Sequence, residues 1–486
     1  MVTYKYDAQR TGQNATESVL TAANVNSSTF GLLRNLSVDG KVDAQPLYLS
    51  QLSVAGSNHN VVFVATENDS VYAFDSDTGS VLWTVTVIGA GETTSDTHGC
   101  GQVTPQIGIT STPVIDRGAG VHGTIFVVGM TKDASGNYHQ RLHALDVTTG
   151  AEATGSPEEI TATNFAPGQY EERAALLLQN GTVYTSWTSH CDTVLYGGWL
   201  MAYSETTLAQ TGVANINHSS GAIWMSGGGP AADAAGNVYV LTGNGAFETT
   251  LDANGFPSGG DYGNSFVKLS LSGSGLAVAD YFALTNGVAE SAADQDLGSG
   301  GIMLLPDLTD STGTVQHLAV GAGKDGNLYV VSRDSLGKFS ASANNIWQEL
   351  DGVMSGGIFS TPAYFNGVIY YGTRYGALNA FSVTNAVVSG SASSQASIQF
   401  AYPGPSPVVS ANGTTNAIVW AYENVTPAVL HAYDATNLAH ELYNSNQAAN
   451  GRDQFGAGNK FIAPTIADGK VFVATTGSVA VFGLLQ

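Results

Sequence analysis

Apolar and polar residues alternate along the chain in short runs that are typical of strands. Runs such as "VVFVAT" (61–66) and "VFVATT" (471–476) are bounded by Asn-Gly, Asp-Gly or similar turns, which supply the positive φ of tight hairpins. The stretch "VYAFDSDTGSVLW" (71–83) therefore predicts a strand, a turn and a second strand. Near-copies of its first half begin at Leu142, Leu200, Leu378 and Leu430.

These copies belong to a longer unit that begins with an apolar strand, often containing proline. The prolines that mark it are Pro46, Pro113, Pro230, Pro362, Pro407 and Pro464. Two of the spacings are roughly double, and each spans a unit without that proline, at 174–186 and at 301–307. The count is therefore eight units of four strands, and four-stranded repeats of roughly 40–50 residues are typical of a β-propeller.

The fold class predicted from this repeat is all-β, an eight-bladed β-propeller with four-stranded antiparallel blades. The last unit supplies only three strands before the chain ends, and "FGLLRNLSV" (30–38) precedes the first full unit. We expect 30–38 to pair with 460–486 and close the ring, because an open ring leaves unpaired strand edges. No linker divides the chain, so 1–486 is interpreted as one domain; two separate β-sandwiches are the alternative.

Composition and charge exclude several classes of partner. Charged residues make up 11% of the chain and the formal net charge is −23, which argues against nucleic acid and anionic membranes. No apolar run is long enough to span a bilayer. We expect a secreted or periplasmic protein whose signal was removed and replaced by a methionine.

The only two cysteines are Cys100 and Cys191, in loops of neighbouring predicted blades. In an oxidising compartment they are expected to form one disulfide. Because His98 and His190 lie near them, a Zn²⁺ or copper site is one alternative, and reduced, buried thiols are another.

The "AFDSDTGSVLW" pattern (73–83) resembles the tryptophan-docking repeat of quinoprotein-type eight-bladed propellers, the PQQ-like repeat superfamily. The resemblance implies that Asp75 and Thr78 order a turn and that Trp83 packs between blades. It covers nearly the whole chain as architecture. The superfamily includes PQQ-dependent alcohol dehydrogenases and non-catalytic assembly factors of the outer-membrane insertion machinery, so the fold alone does not determine function.

The resemblance also implies a site. In the dehydrogenases a tryptophan lies under the quinone, an asparagine in a Gly-Asn pair binds Ca²⁺, an aspartate acts as base and a lysine contacts the quinone oxygens. The residues that follow the same order here are Trp224, Asn244, Asp261 and Lys324, with Asp192 on the preceding blade as a further metal ligand. The dehydrogenases carry two adjacent cysteines, whereas Cys100 stands alone in "HGCGQV".

These residues would have distinct roles. Asp192, Asn244 and Asp261 would bind Ca²⁺ through oxygen atoms, Trp224 and Lys324 would hold PQQ, and Asp261 and Lys324 would act in catalysis. Each residue alone also has an ordinary interpretation, as a turn cap, a packing side chain or a surface pair.

Three functions are therefore compared. The first is a PQQ- and Ca²⁺-dependent oxidoreductase acting on an alcohol, sugar or polyol; without a C-x-x-C-H haem motif, its electron acceptor would be a separate molecule. The second is a non-catalytic propeller that binds protein or polysaccharide. The third is a carbohydrate-active hydrolase or lyase that uses paired acids.

Overall fold

The computed structural model describes residues 1–485, which form eight small antiparallel sheets in a ring around a central channel. This architecture confirms the predicted eight-bladed propeller. Strand order follows the chain in most sheets, with the first strand of each blade beside the channel; the closing sheet, which takes its outer strand from the beginning of the chain, is an exception. The helical segments are the α-helix α1 (Gly287–Ala292) and the 3₁₀ turns Pro167–Gln169, Met225–Gly227, Leu297–Ser299 and Ala449–Gly451.

The strands of the first half of the ring follow one another blade by blade along the chain. Two strands precede blade 1, namely β1 (Gln13–Asn14) and β2 (Phe30–Ser37). Blade 1 contains β3 (Leu47–Val54), β4 (Ser57–Ala65), β5 (Ser70–Asp75) and β6 (Val81–Thr86). Blade 2 contains β7 (Thr93–Thr94), β8 (Val114–Asp116), β9 (Thr124–Lys132), β10 (Tyr138–Asp146) and β11 (Glu158–Glu159). Blade 3 contains β12 (Tyr170–Glu171), β13 (Leu177–Gln179), β14 (Thr182–Ser189), β15 (Gly198–Ser204) and β16 (Gln210–Asn217).

The second half of the ring follows the same plan. Blade 4 contains β17 (Ala231–Ala232), β18 (Val238–Leu241), β19 (Ser265–Ser272) and β20 (Gly275–Ala283). Blade 5 and its small hairpin contain β21 (Met303–Leu304), β22 (Leu308–Thr309), β23 (Val315–Gln316), β24 (Leu318–Ala322), β25 (Leu328–Ser332) and β26 (Gln348–Leu350). Blade 6 contains β27 (Ala363–Phe365), β28 (Val368–Gly372), β29 (Leu378–Thr384), β30 (Val387–Val388) and β31 (Ser394–Gln395). Blades 7 and 8 contain β32 (Val408–Asn412), β33 (Thr415–Glu423), β34 (Val429–Asp434), β35 (Glu441–Asn444), β36 (Thr465–Ala467), β37 (Lys470–Ala474) and β38 (Ser478–Leu484).

Blade 8 takes its fourth strand from the beginning of the chain. Strand β2 pairs antiparallel with β38, from Phe30 opposite Leu484 to Ser37 opposite Ser478. The predicted closing strand 30–38 is therefore confirmed, while Gln486 of the predicted partner range lies outside the described residues. The ring of Phe30 also packs 5.0 Å from that of Tyr443 in blade 7, so closure joins the cores of two blades.

The repeated motif stabilises both a turn and a contact between blades. Asp75 Oδ1 accepts hydrogen bonds from the backbone N–H and the hydroxyl of Thr78, at 2.7 and 3.0 Å. The indole N–H of Trp83 donates to the carbonyl of Val147 in blade 2, at 3.0 Å. Gly150, at φ +70°, lies so close that an added Cβ would be 2.7 Å from the Trp83 ring. In blade 1 the motif thus stabilises its turn and packs the blade against blade 2.

The first 14 residues close one mouth of the channel, which the sequence did not predict. Their backbone accepts hydrogen bonds from the N–H groups of Tyr48, Ile115, Ala232, Leu304, Tyr364 and Val409, on the first strands of six blades. Arg10 reaches the carbonyl of Leu176 in blade 3 (3.0 Å), and Asn14 reaches that of Ile466 in blade 8 (3.0 Å). First strands have no ladder partner on the channel side, so this segment supplies the missing hydrogen bonds of all eight blades.

Two buried basic side chains anchor the segment without a carboxylate beside their nitrogen atoms. Lys5 and Arg10 are both 0% exposed. Arg10 donates to the carbonyls of Pro230 and Leu176, at 2.9 and 3.0 Å, and Lys5 donates to those of Thr361 and Pro407. Burial lowers the pKa of Arg10 to about 10, although Asp7 opposes the shift. The cost of burying these polar groups is offset by carbonyl acceptors from separate blades.

We expect Arg10→Met to lower the free energy of unfolding by about 3 kcal/mol, since several buried carbonyls lose a charged donor. Denaturant unfolding of the variant and wild type measures this. Arg117→Met, an exposed arginine at the same mouth, is the control and should change stability by less than about 0.5 kcal/mol. Equal stability of the two variants would contradict the anchoring role.

The buried His431 predicts a pH dependence of stability. Burial disfavours its charge, but Glu423 and Glu441 outweigh burial and raise the pKa of His431. Its Nδ1 lies 2.7 Å from Glu441 and its Nε2 lies 3.5 Å from Glu423. Because the folded pKa exceeds the unfolded value, this stabilisation is complete below about pH 6.5 and is lost as pH rises through the folded pKa.

The measurement compares wild type with His431→Gln in denaturant unfolding from pH 5.5 to 8.5. The stability difference between them should shrink as pH rises. His440→Gln removes an exposed partner of Asp434 and should show little such trend, because solvent screens that pair. A difference for His431→Gln that is constant with pH would refute the linkage.

Candidate active site

Two kinds of loop surround the channel mouth opposite the N-terminal segment. One kind follows the second strand of a blade, and the other leads into the first strand. Because adjacent strands are antiparallel, both kinds lie on the same face of the ring. Their side chains enclose a cavity of about 380 Å³, a size typical of sites for small molecules.

Four of the five predicted cofactor and metal residues line this cavity. Asp192, Asn244 and Lys324 each follow the second strand of their blade, and Trp224 lies in the connection that enters blade 4. The equivalent positions on blades 3, 4 and 5 therefore bring residues up to 132 positions apart into one site.

Asp261 lies elsewhere. The loop that carries it folds back on itself through bridges such as Phe247 with Tyr262, which turns Asp261 away from the cavity. Its Oδ1 accepts from the backbone N–H of His218 at 2.6 Å and lies 2.8 Å from His218 Nδ1. The expectation that five residues converge thus fails at this residue, because local pairing of the loop decides its direction.

Two acids that the sequence analysis missed occupy the place expected for Asp261. Lys324 Nζ lies 2.6 Å from Asp294 Oδ1 and 2.6 Å from Asp296 Oδ2. Both acids line the cavity, in the stretch "ADQDLGSGG" (293–301) that leads into the first strand of blade 5. Trp224 lies in the corresponding connection into blade 4. This shared position is the signal in the sequence that points to Asp294 and Asp296.

Asn244 ties the same two acids to the neighbouring loop. Its backbone N–H donates to Asp296 Oδ1 at 2.5 Å, and its side-chain amide donates to Asp294 Oδ1 at 2.9 Å. Burial raises the pKa of Asp296, and the attraction of Lys324 opposes that shift. Burial also works against the charge of Lys324, but the two acids outweigh it and raise the Lys324 pKa. The lysine therefore remains a cation at neutral pH.

Aromatic side chains form the other wall. The Trp224 ring lies 6.0 Å from that of Phe359 and 6.4 Å from that of Phe461, both edge to face. The guanidinium of Arg173 lies over Phe461, 4.7 Å from the ring centre, and Arg173 also lines the cavity. The site thus combines an aromatic wall with cations and carboxylates.

Cys100 and Cys191 form a disulfide with their Cα atoms 5.5 Å apart, as predicted. The alternative metal site fails because neither sulfur is a free thiolate. His98 and His190, the two histidines considered for that site, instead stack on each other, with ring centres 4.1 Å apart and planes inclined by 8°. Burial and the neighbouring His190 lower the pKa of His98 to about 4. Because Cys191 lines the cavity, the disulfide fixes part of its wall.

Replacing both cysteines by serine should lower the free energy of unfolding by about 2–4 kcal/mol, because the bridge closes a long loop. Denaturant unfolding measures the loss, and thiol titration of unfolded, non-reduced protein should find no free thiol. Cys100→Ser alone is the matched control and should lose as much stability. Two titratable thiols in the wild-type protein would contradict the bridge.

Comparison with known proteins identifies which solved structures share this fold. No family model matches the chain, and no curated protein matches its sequence. The quinohemoprotein alcohol dehydrogenase of Comamonas testosteroni is similar, with a TM-score of 0.67, 15% identity and coverage of 99% of this chain and 80% of that one. A europium-containing methanol dehydrogenase has a TM-score of 0.62, 14% identity and coverage of 98% and 90%. BamB from Moraxella catarrhalis has a TM-score of 0.52, 13% identity and coverage of 93% and 99%.

The fold is that of the quinoprotein dehydrogenases. This confirms the predicted resemblance at the level of architecture. The identities are too low to carry a function, and BamB has the same type of propeller. Function must therefore be argued from the cavity itself.

Proposed function

We propose that the protein is a quinoprotein-type oxidoreductase that oxidises an alcohol, sugar or polyol in this cavity with PQQ and Ca²⁺. The observation that supports the proposal is the position of Lys324 between Asp294 and Asp296, in one cavity with Trp224. A secreted or periplasmic location and a separate electron acceptor belong to the same proposal. Within residues 1–485, no helix has the length and apolar character of a membrane span.

The cavity fits a planar, anionic quinone. Trp224, with Phe359 and Phe461 packed edge to face against it, offers aromatic surface, and Lys324 and Arg173 line the same cavity with donor groups for quinone oxygens and carboxylates. A bound quinone would supply the two-electron oxidation that side chains cannot perform. The role of the protein is to orient the alcohol and to move its proton.

The oxygen atoms at the site also suit Ca²⁺. Asp192 and Asp294 supply carboxylates and Asn244 an amide oxygen, which are ligands that calcium prefers. In the described part of the chain, no group of three or more His, Cys, Asp or Glu side chains is arranged to hold an ion. The protein alone thus supplies too few ligands, and the cofactor and water would complete the coordination.

Asp294 is the best candidate for the base. Its Oδ1 is held by Lys324 and Asn244, whereas its Oδ2 has no hydrogen-bond partner within residues 1–485 and the side chain is 79% exposed. Both oxygens of Asp296 are engaged, by Asn244 and Lys324. Asp294 can therefore accept the alcohol proton, while Asp296 positions Lys324.

The test is reconstitution with PQQ and Ca²⁺, followed by dye reduction with a panel of alcohols, sugars and polyols. Asp294→Asn should lower kcat about 100-fold or more and leave the cofactor bound, since it removes a base but keeps the side-chain shape. Absorbance of the bound quinone and quenching of tryptophan fluorescence measure binding separately from turnover.

Asp261→Asn is the matched control, because Asp261 is the base that the sequence predicted and it lies outside the cavity. We expect its turnover to equal that of wild type. Loss of turnover in Asp261→Asn but not in Asp294→Asn would reverse the assignment. Absence of PQQ binding would refute the proposal and leave a binding propeller or a carbohydrate-active hydrolase or lyase.

A further inference from the structure

The mouth that carries the candidate site holds as many basic as acidic side chains, although acids far outnumber bases in the chain as a whole. The chain has only 16 Lys and Arg against 39 Asp and Glu. Cavities of about 540 and 330 Å³ adjoin the candidate site and share lining residues with it. Five of the 16 basic residues line these three cavities, namely Lys41, Arg173, Lys324, Arg374 and Lys460.

Most of these cations already have an acidic partner. Lys324 is paired with its two aspartates, and Lys41 and Arg173 are paired with Asp43 at 3.1 and 3.3 Å. Arg374 differs, because within residues 1–485 its guanidinium makes no ion pair or hydrogen bond. Arg374 is exposed to solvent at the edge of the 330 Å³ cavity, so its guanidinium is accessible to an anionic ligand.

Aromatic contacts hold Arg374 in place. Its guanidinium lies 5.5 Å from the ring centre of Phe359 and 5.7 Å from that of Tyr375. Phe359 lines both the candidate site and the adjoining 330 Å³ cavity, as do Asp294 and Lys324. Arg374 thus lines the same cavity as Asp294, the candidate base.

We propose that the substrate carries a carboxylate that Arg374 binds, so that the preferred substrate is a hydroxy acid or sugar acid rather than a neutral alcohol. This inference rests on the proposed function. The planar fork of arginine matches a carboxylate with two parallel hydrogen bonds. Lys460 adds positive potential on the opposite side of the site, since the only hydrogen-bond partner of its ammonium in the described chain is the neutral side chain of Gln102.

The experiment compares D-galacturonate with D-galactose, which differ in one carboxylate, by calorimetric titration of the PQQ-loaded protein and of the protein alone. Galacturonate should bind about ten-fold more tightly, as expected for a charge-assisted pair. Arg374→Gln should remove that preference without changing galactose binding, and Arg374→Lys should restore part of it. Arg117→Gln is the control at the opposite mouth and should retain the wild-type preference.

PQQ itself carries carboxylates, so its affinity is measured in the same variants. If Arg374→Gln weakens PQQ binding and leaves the sugar preference intact, Arg374 serves the cofactor and the inference is overturned. Equal binding of the two sugars by wild type overturns it as well, even where PQQ binds and the proposed function stands. If the protein binds no PQQ, the proposed function fails, and the titration without cofactor still decides whether Arg374 selects the acid.

Discussion

The inner edge of each blade imposes the constraint on which this propeller depends. A first strand beside the channel has N–H and C=O groups with no neighbouring strand, and buried groups of this kind must be paired. Residues 1–14 meet this need by running past all eight blades, with Arg10 and Asn14 reaching the two that the backbone does not. Together with β2 in blade 8, the beginning of the chain thus completes both the inside and the circumference of the ring.

The same arrangement makes the two mouths of the channel unequal. Residues 1–14 fill one mouth, and the basic side chains of Lys5 and Arg10 donate there to carbonyl oxygens of the protein. These donors are therefore not available to a ligand. The other mouth is formed by loops whose conformations are set independently on each blade. One cavity there is lined by an aromatic, an amide, an acidic and a basic side chain, namely Trp224, Asn244, Asp294 and Lys324. A rigid ring thus positions variable loops, which is the usual way a propeller acquires a site.

The order of residues along the chain predicts only part of this site. Trp224, Asn244 and Lys324 lie beside regular strands, so the repeat alone fixes where they emerge. Asp261 lies deep in a long loop, where pairing within the loop and contact with His218 turn it outward. Asp294 reaches the cavity from the connection between two blades, after α1. Sequence order predicted the blades that carry Trp224, Asn244 and Lys324, but the acids beside Lys324 come from the connection into blade 5 and not from the blade 4 loop of Asp261.

The sequence by itself determined the number of blades and the closing strand, because these follow from a repeat period and an incomplete last unit, and its only two cysteines favoured the disulfide over a metal site. The family resemblance predicted that Asp192, Trp224, Asn244 and Lys324 lie at one mouth, and all four line the same cavity. Only the tertiary structure decided that residues 1–14 fill the other mouth, and that Lys324 lies between Asp294 and Asp296. Those outcomes depend on hydrogen bonds between residues hundreds of positions apart or within irregular loops, for which a local pattern carries no signal.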